Sequence, residues 1–292
     1  MPSLFPWRLR TKTLIPGRTP RLMGVVNVTP DSFSDGGRFF EPEAAVQHGL
    51  RLAVEGADVL DIGGQSTRPG AAAIAAGEEL RRVLPVIIAL SRQTDVPISI
   101  DTSSAEVAAE CLAAGAEAIN DVTALTADDR LVALAAESGC GVCAMHMQGT
   151  PQTMQIDPRY DDVVAEVLAW LAARRDAFVA AGIAQDRISL DPGIGFGKTA
   201  AHNLALLGDL SRFRDLGCPL LIGVSRKAFL GRAIGDPAAD RTAGTIGAAL
   251  AAARQGVEIL RVHDVAAVRQ ALIVFEAAGG LAAERARRGP SD

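Results

Sequence analysis

Aromatic residues are scarce in this chain, which has nine Phe, two Trp and one Tyr among 292 residues. Proteins that bind single-stranded nucleic acids stack bases on aromatic side chains, and a formal net charge of −5 gives no general basic surface for phosphates. No apolar run approaches the roughly 18 residues that a membrane-spanning helix requires. The composition therefore argues against nucleic-acid and membrane partners.

Cysteine is also rare, with Cys111, Cys140, Cys143 and Cys218 as the four examples. So few cysteines in a chain of this length indicate a reducing compartment, and Met1–Pro20 lacks the apolar region of a secretory signal. We therefore expect a cytoplasmic protein. Cys140 and Cys143 resemble a redox or metal pair, but no second pair completes a zinc site. Positions three apart in a strand face opposite sides, so we expect buried, inert thiols.

Apolar runs typical of β-strands alternate with helix-forming runs along the chain. Eight such βα units fit one TIM (β/α)8 barrel, an α/β fold of about 250 residues. A doubly wound open sheet is the alternative, which the regular units and the lack of a dinucleotide fingerprint disfavour. The predicted strands are Leu22–Val28, Val59–Ile62, Ile98–Asp101, Ala118–Asp121, Val142–Met145, Ile188–Asp191, Leu220–Val224 and Ile259–His263. The predicted helices are Pro42–Glu55, Glu78–Ser91, Ala105–Ala114, Asp128–Ser138, Asp161–Ala181, Asn203–Phe213, Thr242–Arg254 and Val265–Ala278.

No interdomain linker interrupts this alternation. We therefore expect a single barrel domain at residues 21–279. Residues 1–20 are expected to form a short hairpin or lid over the bottom of the barrel. Residues 280–292, rich in Ala, Gly and Arg, are expected to form a frayed C-terminal tail.

A glycine-rich turn, Asp191–Lys198, follows the sixth predicted strand. It is not a P-loop, which would need Gly at Pro192, and it is not a dinucleotide fingerprint, whose third glycine would fall on Lys198. Alternating glycines permit close backbone approach and positive φ, and ligands of α/β proteins bind beyond the carboxyl ends of strands. We interpret the turn as room for a flat ligand whose polar edge faces Asp191. A tight turn with a helix N-cap is the alternative.

Each predicted strand ends on, or next to, a polar side chain. In a barrel the carboxyl ends of parallel strands meet at one rim, where barrel active sites form. Burying these groups singly without partners would cost several kcal/mol each, so a shared site explains their placement better than separate structural contacts. The residues are Asn27, Asp61, Asp101, Asn120 with Asp121, His146, Asp191, Ser225, and Arg261 with His263.

The carboxylates at this rim match a nitrogen heterocycle. Asp191 would accept two parallel hydrogen bonds from a 2-amino, N3–H edge like that of guanine. Asp101 and Asn120 would recognise neighbouring donors and acceptors of the same ring. For Asp101, a salt bridge to an Arg or Lys at the rim is the alternative interpretation.

Cations end the seventh and eighth predicted strands. Arg261 and His263 share a strand face and therefore reach one point, in the region where barrels often hold phosphate. A structural pair between Arg261 and Asp264 is the alternative. Arg226 and Lys227 either contact an anion or a ring oxygen or face solvent, and Lys227 is also a candidate Schiff-base lysine.

The loops after the first two strands carry further candidates. Asn27 offers an amide oxygen to a hard cation such as Mg²⁺ or an N–H to a phosphate, unless it stabilises an Asx turn. Phe33 either packs downwards or stacks on a ligand. Thr67 and Arg68 are candidates for binding an anion through a hydroxyl and a guanidinium, although such residues are also common in solvated loops.

Taken jointly and in order, these stretches resemble the dihydropteroate synthase family. The resemblance covers residues 22–278 and implies a TIM barrel, usually dimeric. It also implies condensation of 6-hydroxymethyl-7,8-dihydropterin diphosphate with 4-aminobenzoate in folate synthesis, dependence on Mg²⁺ and sensitivity to sulfonamides. The matching segments are Asn27–Gly37, Asp61–Gly70 as D-x-G-G-x-S-T-R-P-G, Ser99–Thr102, Asn120–Asp121, Met145–Gln155, Asp191–Lys198, Ser225–Lys227 and Arg261–Val265.

The resemblance implies roles for individual residues. The pterin ring falls to Asp101, Asn120, Asp191 and Lys227, and the diphosphate falls to Asn27, Thr67, Arg68, Arg261 and His263. The 4-aminobenzoate falls to Phe33, Thr67, Pro69 and Ser225, and Mg²⁺ falls to Asn27. The implied catalytic residues are Asp101, Lys227, Arg261 and His263.

One position departs from the family pattern, because Gln65 stands where the family usually has Glu. An amide keeps the hydrogen bonds there but drops a charge. Three other functions stay open: a pterin-binding methyl carrier of the methyltetrahydrofolate–corrinoid type, a binding-only paralogue, and a Schiff-base aldolase that uses Lys227. The cationic side chains at Ser225–Lys227 and Arg261–His263, which are expected to bind diphosphate, argue against the methyl-carrier function, because a methyl carrier binds no diphosphate there.

Overall fold

The chain folds into a parallel β-barrel in a computed structural model that describes residues 5–29, 42–67, 70–72 and 74–281. The strands are β1 (Trp7–Arg8), β2 (Thr13–Leu14), β3 (Arg21–Asn27), β4 (Val59–Gly63), β5 (Ile98–Asp101), β6 (Ala118–Asp121), β7 (Gly141–Met145), β8 (Ile188–Asp191), β9 (Leu221–Ile222) and β10 (Ile259–Val262). Eight of them form one parallel sheet in the order β8-β7-β6-β5-β4-β3-β10-β9. A bridge between Leu190 and Leu220 joins the two edges. The predicted TIM barrel in a single domain is confirmed.

Helices surround this barrel and follow the predicted alternation. They are α1 (Pro42–Glu55), α2 (Ala76–Gln93), α3 (Ala105–Ala113), α4 (Arg130–Ser138), α5 (Val163–Ala180), α6 (Ala200–Gly208), α7 (Ala228–Ile234), α8 (Thr242–Arg254) and α9 (Val265–Ala277). Among the described residues, no helix is both long enough and apolar enough to cross a membrane.

Two helical segments differ from the prediction. The run predicted as one helix divides at Asp209 into α6 and the 3₁₀ helix Leu210–Leu216. Helix α6 also begins earlier than predicted, at the Thr199 N-cap, whose side chain accepts from the backbone N–H of His202. The short helix α7 was not predicted, since its seven residues include a glycine and fall below the usual helix length.

The barrel interior changes from apolar to polar along the barrel axis, because strand side chains alternate between interior and helix layer. On three of the strands an apolar inward residue is followed, two positions later, by a polar one. The pairs are Val59 and Asp61, Ala118 and Asn120, and Ile259 and Arg261. The barrel therefore has an apolar floor and a charged mouth, and the mouth lies at the carboxyl ends of the strands. The floor cluster contains Met23, Val59, Ala118, Cys143, Leu221 and Ile259 together with Trp7, Leu9 and Leu14.

The antiparallel pair β1–β2 closes the floor of the barrel. Trp7 is 1% exposed, and its indole N–H donates to the carbonyl of Arg187 at 2.9 Å. The first residue of β7 must be small, because a Cβ at Gly141 would lie 2.9 Å from the side chain of Leu9 and 3.2 Å from that of Trp7. Glu117 accepts two further hydrogen bonds from Thr11, both at 2.6 Å.

The four cysteines are buried and free, which confirms the prediction made for Cys140 and Cys143. Cys140 packs in the cluster between barrel and helices, whereas Cys143 lies in the floor, so the two thiols point in opposite directions. Burial raises the pKa of both thiols. They therefore stay protonated and unreactive near neutral pH.

Replacing Trp7 tests the contribution of this floor to stability. Trp7→Ala should lower the free energy of unfolding by about 3–5 kcal/mol, because it leaves a cavity beneath the barrel. Trp7→Phe is the matched control, which keeps an aromatic ring and should cost less, since it mainly removes a hydrogen bond of about 1 kcal/mol. Urea unfolding followed by circular dichroism measures both variants. An unchanged stability for Trp7→Ala would show that the hairpin lies outside the cooperative core.

Candidate active site

Arg261 lies between two carboxylates at the mouth of the barrel. Its Nε donates to Asp61 Oδ2 at 2.6 Å, and its Nη2 donates to Asp101 Oδ2 at 2.8 Å. Asn120 Nδ2 donates to the same Asp61 oxygen at 3.0 Å. These side chains come from β4, β5, β6 and β10, so the network ties four strand ends together. The salt bridge that was the alternative interpretation of Asp101 is therefore present.

The charges of this network are strongly coupled. Burial raises the pKa of Asp101 to about 7, and the guanidinium of Arg261 opposes that shift. Desolvation would lower the pKa of Arg261, but the attraction of Asp61 and Asp101 is larger and raises it. Asp61 is fully buried, and its Oδ1 has no hydrogen-bond partner among the described residues. The carboxylate thus keeps an acceptor for a further donor.

Asp191 and Lys227 lie across the mouth from Asp61, because β8 is four strands from β4 in the ring. Asp191 is 6% exposed, and its Oδ1 accepts from the N–H of Gly193 at 2.7 Å. Burial raises the pKa of Asp191 to about 6, which this hydrogen bond and nearby cations oppose. The Lys227 ammonium lies 3.9 Å from the ring centroid of Phe196, and burial lowers its pKa to about 8. At neutral pH this side of the mouth therefore offers a carboxylate acceptor beside an ammonium donor.

The glycines of the Asp191–Lys198 turn have positive φ, as predicted, with +69° at Gly193 and +61° at Gly197. A Cβ at Gly193 would lie 1.8 Å from the carbonyl oxygen of His146, and one at Gly197 would lie 2.5 Å from that of Gln148. At these two positions the lack of a side chain leaves room for the backbone of the loop after β7. The close approach here is between two rim loops, whereas the sequence suggested room for a ligand.

Ser225 and His263 form a second polar contact beside Arg261. The backbone N–H of His263 donates to Ser225 Oγ at 3.2 Å, and Nδ1 of its ring lies 3.0 Å from the same oxygen. Burial, followed by repulsion from Arg261, lowers the pKa of His263 to about 4, so the imidazole is neutral at pH 7. Arg226 is exposed and binds Asp264 through two hydrogen bonds of 3.0 and 2.5 Å. The alternative pairing of Arg261 with Asp264 is therefore not formed.

The remaining predicted residues lie near the first two strands. Asn27 ends β3 and Thr67 lies in the loop after β4, both half-buried. Phe33, Arg68 and Pro69 lie outside the described residues. Within the described ranges, no group of three or more His, Cys, Asp or Glu side chains could hold a metal ion. An amide oxygen such as that of Asn27 still fits Mg²⁺, which commonly takes one or two protein oxygens and completes its shell with water and substrate phosphates.

Two of the polar residues at strand ends turn away from the mouth, contrary to expectation. The ring of His146 packs edge-on against Trp170 of α5, with centroids 5.0 Å apart. Asp121 accepts from the backbone N–H of Thr123 at 2.8 Å and from Ser103 Oγ at 2.5 Å, and so stabilises two rim loops. Both residues follow an inward-facing neighbour, and strand alternation therefore places them on the helix side.

The sequence analysis assigned no individual role to Asp61 or to Lys198, and the structure shows that both side chains are buried in or behind the mouth. Asp61 was grouped with the rim residues, yet it is the carboxylate that both Arg261 and Asn120 contact. Its contact with the network could have been anticipated, because it lies two residues after the inward-facing Val59 and therefore also faces the barrel interior. Lys198 is 2% exposed and lies behind the turn that follows β8. The Asp191–Lys198 turn identified in the sequence includes it, but its burial could not be predicted, because that depends on the path of the loop.

Known proteins are similar to this chain in sequence and in fold. The pterin binding enzyme family matches residues 23–263. The dihydropteroate synthase of Escherichia coli (strain K12) is 46% identical over 258 residues, which are 88% of this chain and 91% of that protein. A structure of Xanthomonas albilineans dihydropteroate synthase with 4-aminobenzoic acid has 52% identity and a TM-score of 0.83, and covers 89% of this chain and 93% of its own. A Yersinia pestis dihydropteroate synthase in a sulfonamide drug complex has 44% identity and a TM-score of 0.87, with 94% and 98% coverage.

The match over residues 23–263 places the chain in the class of pterin-binding enzymes. Within that class, its similarity to these relatives shows that it belongs to the dihydropteroate synthase family. The similarity extends over nearly the whole length of the relatives. The condensation that the family resemblance implied makes the protein a transferase, and that enzyme class is confirmed.

Removing Arg261 tests the charge network. Arg261→Ala should cost about 3–5 kcal/mol of stability at pH 8, because two buried carboxylates lose the cation that both contact. Unpaired buried carboxylates bind protons more tightly in the folded chain than in the unfolded chain. The stability of the variant should therefore rise as the pH falls from 8 to 5.

Arg226→Ala is the matched control for this experiment. It breaks the exposed pair with Asp264, which should cost only about 0–1 kcal/mol. Chemical denaturation at both pH values compares the two variants. Equal losses, or a loss at Arg261→Ala that does not depend on pH, would contradict the assignment of a buried network.

Proposed function

We propose that the mouth of this barrel carries out the dihydropteroate synthase reaction, which condenses 6-hydroxymethyl-7,8-dihydropterin diphosphate with 4-aminobenzoate to give 7,8-dihydropteroate and diphosphate in folate biosynthesis. One observation carries the assignment of the site. Acceptors for a flat nitrogen ring and cations for its leaving group lie in one mouth, on the ends of different strands. Asp191 interacts electrostatically with Lys227 and Arg261, which supports their placement in the same mouth.

We assign the pterin ring to Asp101, Asn120, Asp191 and Lys227. The bond from Gly193 orients the Asp191 carboxylate and uses one lone pair of Oδ1, so Oδ2 and the second lone pair of Oδ1 can accept the two parallel hydrogen bonds of the 2-amino, N3–H edge. The amide nitrogen of Asn120 is engaged by Asp61, so its carbonyl oxygen is available as an acceptor. The ammonium of Lys227 can donate to the ring oxygen. Donors and acceptors then match the heterocycle in pattern as well as in charge.

We assign the diphosphate to Asn27, Thr67, Arg68, Arg261 and His263. Two donors of Arg261 are engaged by the carboxylates, which leaves its other N–H groups for an anion. Neutral His263 adds a hydrogen-bond donor without a charge. Mg²⁺ would be held by Asn27 together with the diphosphate, and when bound it neutralises charge on the leaving oxygens.

In the proposed mechanism the C–O bond to diphosphate breaks before the amine attacks. The diphosphate leaves with the bonding electron pair, and the pterin methylene carries a positive charge that spreads into the ring. Asp101 and Asp191 favour the cationic ring, while Arg261 and His263 stabilise the departing oxygens. The neutral arylamine then forms the C–N bond and loses one N–H proton, which the released diphosphate accepts. No nucleophilic side chain is needed, but water must be excluded.

We assign the 4-aminobenzoate to Phe33, Thr67, Pro69 and Ser225, by resemblance to the family. The Xanthomonas relative has 4-aminobenzoic acid bound and the Yersinia relative has a sulfonamide bound, which supports the same two ligands for this chain. A homodimer and a cytoplasmic location complete the proposal. Both rest on the family resemblance.

The rival functions differ in how well the site fits them. The pKa of Lys227, which burial lowers to about 8, is compatible with a Schiff base, so borohydride trapping of Lys227 is the test that separates an aldolase from the synthase. A methyl carrier has no need of the cations and imidazole that gather around Arg261. The argument for a binding-only paralogue is Gln65, which departs from the family pattern. An assay of turnover distinguishes such a paralogue from an enzyme.

Diphosphate release tests the proposed reaction directly. The purified chain with Mg²⁺ and the pterin diphosphate should release diphosphate when 4-aminobenzoate is added, and a sulfonamide should inhibit that release. Removing Mg²⁺ with a chelator should slow it, because the leaving oxygens lose a neutralising charge. Binding of the pterin without any release would identify a binding-only paralogue. An absence of release with both substrates and Mg²⁺ would contradict the synthase function.

Asp191→Asn tests the ring assignment. The amide removes a charge-assisted acceptor, so kcat/KM for the pterin substrate should fall about 10- to 150-fold with a raised KM, as expected for a loss of about 1.5–3 kcal/mol. Asp186→Asn is the matched control, since Asp186 is exposed and pairs with Arg8 before β8 begins. Steady-state kinetics with each substrate varied gives both values. Near wild-type kinetics for Asp191→Asn would overturn the assignment of this carboxylate.

A further inference from the structure

Arg226 has an unusual backbone conformation between two residues of the proposed site. Its φ is +57°, in the left-handed region that residues with a Cβ disfavour. Ser225 precedes it and Lys227 follows it, and both are assigned to substrates. A residue held in such a conformation persists only where its surroundings fix it, and such residues cluster at active sites. The contacts that fix Arg226 therefore bear on function.

The two side chains that flank Arg226 reach different neighbours. Strand β9 lies between β10 and β8 in the ring. On the β10 side, Ser225 Oγ lies 3.0 Å from Nδ1 of His263. On the β8 side, the stem of Lys227 packs on Gly195, where an added Cβ would lie 2.9 Å from Cδ of the lysine. Residues two apart in an extended chain share a face, so the change of direction occurs at Arg226.

Helix α8 holds the peptide groups on both sides of the Arg226 Cα. The backbone N–H of Arg226 donates to Thr245 Oγ1 at 3.0 Å, and its carbonyl oxygen accepts from Nη1 of Arg241 at 3.3 Å. The angles φ and ψ are the two rotations between these planar groups, so the two contacts together restrict both angles. Thr245 is 1% exposed, and water therefore cannot easily replace its hydroxyl as the acceptor.

The side chain of Arg226 contributes less to this conformation. It is exposed and pairs with Asp264, and exposed ion pairs stabilise a protein only slightly. The bond from Thr245 acts on the backbone itself and is buried on the acceptor side. We therefore expect Thr245 to determine the conformation at residue 226 more than the ion pair does.

We propose that Thr245 is a positioning residue of the substrate site: its hydroxyl holds Arg226 in the left-handed conformation that directs Ser225 and Lys227 to opposite sides of the mouth. The proposal rests on the proposed function, which assigns Ser225 to 4-aminobenzoate and Lys227 to the pterin ring. Thr245 acts through the backbone of Arg226. Its loss should therefore affect the use of both substrates.

Replacing the hydroxyl of Thr245 tests the proposal. Thr245→Val keeps the branched shape and removes the acceptor, so kcat/KM for the pterin diphosphate and for 4-aminobenzoate should both fall about 5- to 15-fold, as expected when a hydrogen bond is lost and its donor is left unsatisfied. Thr245→Ser keeps the acceptor and should retain most of the activity. Thr242→Val makes the same substitution at the first residue of α8, where the backbone N–H bonds to Asp240, and should leave the kinetics unchanged.

A second change at residue 226 separates backbone conformation from packing. Glycine adopts positive φ as readily as negative φ, so Arg226→Gly added to Thr245→Val should restore kcat/KM to within about threefold of the unmodified chain. Arg226→Ala is the matched control, because it also removes the pair with Asp264 but keeps a Cβ. It should give no recovery in the Thr245→Val background. Thermal unfolding confirms that each variant is folded.

The outcomes separate this inference from the proposed function. Unchanged kinetics in folded Thr245→Val would overturn the inference. Equal effects of Arg226→Gly and Arg226→Ala in the Thr245→Val background would overturn it too, since Thr245 would then act through packing alone. If the unmodified chain releases no diphosphate, the proposed function fails, and a crystal structure of Thr245→Val decides the inference instead. A negative φ at residue 226 with Ser225 displaced from His263 would support it, and a retained positive φ would refute it.

Discussion

The guanidinium of Arg261 between Asp61 and Asp101 is the interaction on which the rest of the site depends. Two buried carboxylates in one mouth repel each other, and each loses hydration that only a well-placed partner can replace. The planar guanidinium of Arg261 donates to both carboxylates at once, through hydrogen bonds of 2.6 and 2.8 Å. Because the carboxylates use only part of that fork, the same side chain fixes three strand ends and still presents donors to an anion.

The position of this network follows from the alternation of side chains along the strands. Val59, Ala118 and Ile259 fill the floor of the barrel, and the next inward residues on the same strands are Asp61, Asn120 and Arg261. The hairpin seals the floor, so the charged groups rest on apolar packing and water reaches them only from the mouth. Electrostatic interactions are stronger in such surroundings than in bulk water. The floor therefore serves the chemistry as well as stability.

The barrel could be predicted because strand-like and helix-like runs alternate eight times, and a regular parallel order follows from that repetition. The site could be predicted only in part. Adjacent residues at a strand end differ in direction, so Asn120 reaches the mouth whereas Asp121 holds loops on the helix side. Sequence also gave no way to choose the partner of Arg261, since Asp264 is closer in the chain than Asp61 or Asp101. The burial of Lys198 depends on a loop whose path local propensity does not determine.

The charges of the described residues in and behind the mouth suggest how the site treats an anionic substrate. Asp61, Asp101 and Asp191 oppose Arg261, Lys227 and Lys198, while His263 is neutral because burial lowers its pKa. The described groups thus nearly cancel, so they offer orientation and hydrogen bonds to a diphosphate more than net attraction. A cation that accompanies the diphosphate would supply the missing positive charge, which is the physical argument for Mg²⁺ beside Asn27. In the proposed assignment the same balance would favour ionisation of the substrate, because the acids would lie where the ring becomes positive and the donors where the leaving group becomes negative.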